Sequence, residues 1–136
     1  MKYMLLMQGP RSDYEQSGPH TWTPEEFQAH IGFMHALNQE LVESGELVDA
    51  RGLAGPDQAR LVRVAADGTP AVTDGVFPET KEFLAGFWIL DCESLARATE
   101  VAARISAAPG RGGEPVRVPV EVRQVMSAPE APEVDM

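Results

Sequence analysis

"FWIL", Phe87–Leu90, is an unbroken apolar run inside the longer stretch "TDGVFPETKEFLAGFWILD", Thr73–Asp91. A strand with one face in water alternates apolar and polar residues, whereas a run with no polar position has both faces covered. Phe87–Leu90 therefore reads as a central strand. "YMLLM", Tyr3–Met7, reads the same way and is closed by Gly9 and Pro10. Between these two runs, "ARLVRV" (Ala59–Val64) and "PAVT" (Pro70–Thr73) flank Asp67-Gly68, a hairpin signal. Leu47–Gly55 is a weaker strand because of its two glycines, and "VPVEVRQV", Val118–Val125, is the last strand.

Two helices fit between these strands. Thr23 is placed as an N-cap, Pro24 opens the first turn, and Glu25 and Glu26 sit where the helix dipole favours acids. Phe27, Ile31, Met34, Leu37 and Leu41 form its apolar stripe, and Gly45 stops it. Ser94 caps the second helix, with Leu95, Ala98, Ala102 and Ile105 on its inner face. Residues 9–23 read as a long Gly/Pro/Ser-rich loop, and "PGRGGEP", Pro109–Pro115, reads as a flexible linker. The order β-α-β, hairpin, β-α-β predicts a ferredoxin-like α+β domain over residues 1–126, with an antiparallel sheet and two helices on one face. Residues 127–136, rich in Pro and acids, read as a disordered tail. Two helices cover only one face of such a sheet, so the second apolar face calls for another copy. The expectation is a homodimer packed face to face, through either Trp88 and Leu90 or Phe87 and Ile89.

Composition narrows function by exclusion. The chain has 136 residues, 43% of them hydrophobic, with 11 basic against 21 acidic side chains and a net charge of −10. That balance argues against a nucleic-acid binder, which needs a basic face, and favours a neutral or cationic partner. A single cysteine, Cys92, forms no internal disulfide and suits a reducing compartment. The apolar run at Met4–Met7 is too short for a membrane span or a signal-peptide core, so a cytoplasmic protein is expected.

The charges around Asp74, Glu79 and Lys81 have two readings. One is turn chemistry, with Asp74-Gly75 making the bend and the other charges solvated. The other is a pocket rim in which a carboxylate beside an ammonium moves protons or holds a polar ligand.

This same stretch resembles the signature of the DGPF-type proteins of the YCII-related (YciI-like) family. "MKYMLLM", "SGELVDARGL" and "VEVRQV" resemble that family as well, over nearly the whole chain. The motif here runs Asp74-Gly75-Val76-Phe77-Pro78, with the proline two places further along, and Gln8-Gly9-Pro10 stands where the wider group has a catalytic-type His. The resemblance implies a ferredoxin-like dimer with a cleft between sheet and helices. It implies relatives that include a dehydrochlorinase of chlorinated hydroxyquinols, and neighbours among sigma factors that hint at regulation.

Other candidates are weaker. His20, His30 and His35 fall in an acidic stretch, but His30 and His35 are five apart and no metal-ligand spacing is present, so no metal is expected. Asn38 falls on the apolar stripe of the first helix and must either bond within the fold or face a cleft. Cys92 reads as structural, and "GRGG" lacks the context of a phosphate loop, so no cofactor is expected. Trp22 and Tyr14 sit in the long loop, where they would cap a cleft mouth or pin the loop itself.

Two functions remain. The first is a small-molecule-binding or regulatory module with Asp74, Glu79, Lys81, Asn38, His30 and Trp22 around a cleft. The second is a YCII-type enzyme acting on a hydroxylated ring or small organic acid, with Asp74 as base and Lys81 steadying negative charge.

Overall fold

The computed structural model describes residues 1–74 and 81–126. Glu79 and the tail from 127 to 136 lie outside the described residues. Among the described residues, six strands and three α-helices follow one another as β1 (Lys2–Pro10), α1 (Arg11–Ser17), α2 (Pro24–Glu43), β2 (Leu47–Gly52), β3 (Arg60–Val64), β4 (Pro70–Asp74), β5 (Glu82–Asp91), α3 (Leu95–Ser106) and β6 (Val120–Gln124). Four strands form one antiparallel sheet in the order β2-β5-β1-β6, while β3 and β4 pair only with each other. The α+β plan and the hairpin are as the sequence predicts, with "FWIL" and "YMLLM" on the two central strands.

Among the described residues the helices cover one face of the sheet. Tyr3, Leu5, Trp88 and Leu90 point to one side, where Leu37 and Leu41 of α2 and Ala98, Val101, Ala102 and Ile105 of α3 complete the core. Strand alternation puts Met4, Leu6, Phe87 and Ile89 on the other side, all half-buried. Of the two interface pairs open from sequence, Trp88 and Leu90 are therefore occupied by the core.

The helix ends are built as their residues dictate. Thr23 and Glu26 form a capping box, with Glu26 N–H donating to Thr23 Oγ1 at 3.2 Å and Thr23 N–H donating to Glu26 Oε1 at 2.8 Å. At the other end Gly45 takes φ 78°, its N–H reaching the Val42 carbonyl while Glu46 N–H reaches that of Leu41. That is a Schellman closure, which a residue with a Cβ adopts only under strain. Ser94 caps α3 through the Arg97 N–H at 3.1 Å.

Five expectations need correction. Residues 11–17 are helix rather than loop, helped by an i,i+4 ion pair from Arg11 to Glu15 at 2.9 Å. The strand expected over Leu47–Gly55 ends at Gly52, and the last strand covers only Val120–Gln124. On α2 the stripe is buried only at its C-terminal half: Phe27 is 45% and Ile31 50% exposed. On α3 Leu95 is exposed and Val101 takes the inner position, which follows from 3.6 residues per turn counted from Ala98 and Ile105.

Two polar contacts tie the layers together. Trp88 Nε1 donates to Asn38 Oδ1 at 2.9 Å, so the amide on the apolar stripe serves the central strand. Arg97 holds Glu46 with two hydrogen bonds of 2.9 and 3.0 Å, joining α3 to the start of β2. The Arg97 hydrogen bonds hold the Glu46 carboxyl below its ordinary 4.5. Removing the Asn38 acceptor leaves a largely buried indole N–H unpaired, so Asn38→Ala should cost about 1–3 kcal/mol in urea unfolding. An unchanged midpoint would show that the bond carries no weight. Glu46→Gln should cost on the order of 1 kcal/mol at pH 7. Because the folded pKa of Glu46 is depressed, its contribution is complete above the unfolded value and is lost as pH falls through the folded one. The gap between wild type and Glu46→Gln should therefore close in acid below 4.5, a comparison that paired melts across pH will check.

Candidate functional site

A cavity of about 360 Å³ opens where β1 ends and β5 begins, between α1 on one side and the segment 109–119 on the other. Its position follows from a bulge. Met7 pairs with Gly86 but Gln8 pairs with Leu84, so Ala85 is an extra residue on β5. Beyond the bulge, Leu84 falls on the open face and Phe83 turns to the helix side. There Phe83 meets Tyr14 of α1 edge-on, with ring centroids 5.4 Å apart. Met7, Trp22 and Val116 complete the apolar wall.

Polar groups converge on this wall from distant parts of the chain. The Trp22 ring packs against His30 at 5.0 Å, and its Nε1 donates to the Ser17 carbonyl at 3.0 Å. His30 Nδ1 lies 2.9 Å from the Pro109 carbonyl. A carbonyl only accepts, so Nδ1 carries the proton and, in the neutral ring, Nε2 is left as an acceptor. Arg111 Nη2 donates to the Gln16 carbonyl at 3.1 Å and to Thr21 Oγ1 at 2.7 Å. Glu26 accepts a short hydrogen bond from Gly112 N–H in addition to its capping role. Both backbone donors, Thr23 first and Gly112 second, hold the Glu26 carboxyl below its ordinary range. The segment 109–112 is thus strapped to α1, α2 and the link between them at three points.

Gly110 makes that close approach possible. A Cβ there would come within 2.7 Å of Val116 Cγ1 and 3.1 Å of the Trp22 ring. Arg117, on the same rim, has φ 55°, an uncommon and strained backbone for a residue with a Cβ. The rim carries Asp13 and Glu114 against Arg111 and Arg117, so its formal charges balance.

The sequence candidates divide. Trp22 and His30 line the cavity together. Asn38 does not, being bonded to Trp88. Asp74 ends the β3–β4 hairpin, 73% exposed, in an ion pair with Arg60 at 3.0 Å. Lys81 is exposed at the start of β5, and its carbonyl accepts the Arg11 N–H at 3.1 Å. Neither Asp74 nor Lys81 belongs to the cavity wall. His20 packs on Tyr14 outside it, His35 is exposed, and Cys92 is buried in the core. Tyr14, weighed with Trp22 from sequence as a cap on a cleft mouth, lines the cavity, while Phe83, Arg111 and Val116 are wall or rim residues that sequence reading did not single out. Only the Arg11–Glu15 spacing hinted at the helix carrying Tyr14. Among the described residues no cluster of His, Cys, Asp and Glu is arranged to hold a metal, and no helix is long and apolar enough to cross a membrane.

An uncharacterised protein of Rhizobium meliloti (strain 1021) is 36% identical over 104 residues, covering 76% of this chain and 83% of its own. The model of the YCII-related domain matches residues 1–120, which include both central strands and every wall of the cavity. The chain belongs to the YCII-related family.

Proposed function

We propose that this YCII-related protein is a small-molecule-binding module and that the cavity between α1, the β1–β5 end and the 109–119 segment is its binding site. The observation that carries the reading is His30. Its Nδ1–H is committed to the Pro109 carbonyl, its ring packs on Trp22 in the cavity wall, and Nε2 is the acceptor left on the ring. A volume of about 360 Å³ suits a compact ligand. The ligand would be mostly apolar, with one hydrogen-bond donor for Nε2.

An enzymatic reading is favoured by the same atom. An imidazole with a fixed tautomer can serve as a base as well as an acceptor, and it would take the role that the sequence reading gave to Asp74. Lys81 and Asp74 would then act, if at all, outside the reacting centre.

The protein would work as a homodimer in the cytoplasm. The apolar Met4, Leu6, Phe87 and Ile89 on the uncovered sheet face support self-association.

A thermal-shift and calorimetric screen of compact aromatic and aliphatic molecules bearing hydroxyl, amide or acid groups tests the site. A hit should bind His30→Gln and Trp22→Ala at least about tenfold more weakly than wild type, a loss of about 1.4 kcal/mol. Lys81→Ala should bind as wild type does. A hit whose affinity falls with Lys81→Ala but not with His30→Gln would move the site to the stretch around residue 81 and end this reading.

A further inference from the structure

Arg111 stands on the cavity rim with its charge unmatched. Its Nη2 donates to the Gln16 carbonyl at 3.1 Å and to Thr21 Oγ1 at 2.7 Å, and both acceptors are neutral. Among the described residues no carboxylate forms an ion pair with it, and the N–H groups of Nη1 and Nε have no partner. Glu26 senses the guanidinium, but Arg111 is the weakest of the groups that hold that carboxyl down. A cation fixed by neutral acceptors keeps its charge for another partner. It is also already ordered, so little side-chain entropy is lost when that partner binds. The rim acids Asp13 and Glu114 have no side-chain hydrogen bond among the described residues, so neither is held in place as Arg111 is.

Arg117 adds a second cation by an unfavourable route. Its φ of 55° is one that glycine takes without strain. The backbone is held there by its neighbours: Arg117 N–H donates to the Ser106 carbonyl and Val116 N–H to that of Ala108, each at 2.9 Å. Strain of this kind persists where the surroundings impose it, and it gathers at ligand sites. Among the described residues the Arg117 side chain has no ion pair either. Two unmatched cations thus share the short segment whose Pro109 carbonyl fixes His30.

We infer that the cavity takes a compact carboxylate, its anionic head on Arg111 with Arg117 as the second cation, its apolar body against Trp22 and Phe83, and a hydroxyl donating to His30 Nε2. This assignment deepens the binding-site reading above and rests on it. The net charge of −10 repels anions from the chain at large, so an anion that binds is held by a local arrangement and not by the overall field.

Para-hydroxyphenylacetate, tyrosol and tyramine carry a carboxylate, an alcohol and an ammonium on the same phenol, and calorimetry on the full chain ranks them. The acid should bind at least about tenfold more tightly than the alcohol or the amine. Arg111→Gln should erase that preference and leave the affinity for tyrosol unchanged. Arg117→Gly should melt no lower than wild type, because glycine accepts the left-handed backbone, and should bind the acid several-fold more weakly. His30→Gln should weaken all three alike. Tyrosol bound as tightly as the acid, or an Arg111→Gln variant that keeps the preference, overturns the carboxylate assignment, and the cavity reading then stands on the His30→Gln loss alone. Binding that ignores His30→Gln removes the cavity reading and the carboxylate with it. No binding of the acid at millimolar concentration overturns the carboxylate assignment as well.

Discussion

The pairing of β1 with β5 is the constraint from which the rest of the molecule follows. Nine residues of β1 meet β5 in antiparallel register, across more than half the chain. Their alternation decides which side chains enter the core beneath α2 and α3 and which stay on the open face. The pairing also contains the bulge at Ala85. Without that extra residue Phe83 would lie on the open face, Tyr14 would lose its edge-on partner, and the cavity would lose the aromatic part of its sheet-end wall.

The fold was largely legible because its signals are local. Apolar runs marked the central strands, Asp67-Gly68 marked the hairpin, and Thr23, Gly45 and Ser94 marked helix ends through contacts within a few residues of themselves. The misreadings have physical causes. The α1 segment is short and opens directly after Pro10, so its composition resembled a loop. The stripe on α2 was real, but a helix of 20 residues extends about 30 Å and outruns the sheet beneath it. Phe27 and Ile31 sit at its N-terminal end.

The site was legible only in pieces. Trp22 and His30 stood out as residue types, yet nothing in sequence joined them to Arg111 or Val116. Those links are made by hydrogen bonds and packing across 79 to 90 residues, as from His30 to Pro109 and from Arg111 to Thr21. "GRGG" looked like a linker because its glycines are locally permissive; Gly110 is small because Trp22 and Val116 lie against it. The charge cluster at Asp74 and Lys81 was conspicuous for a different reason: Asp74 closes a hairpin with Arg60.

The three straps on segment 109–112 bear on how the chain acquires its shape. Each joins a residue before position 31 to one after position 108, so none can form until both ends of the polypeptide are in place. Contacts of such wide sequence separation carry a large loop-closure entropy and are made late. The hairpin and the helix caps need no such wait. The cavity is therefore closed only where segment 109–112 docks on residues that lie far earlier in the chain.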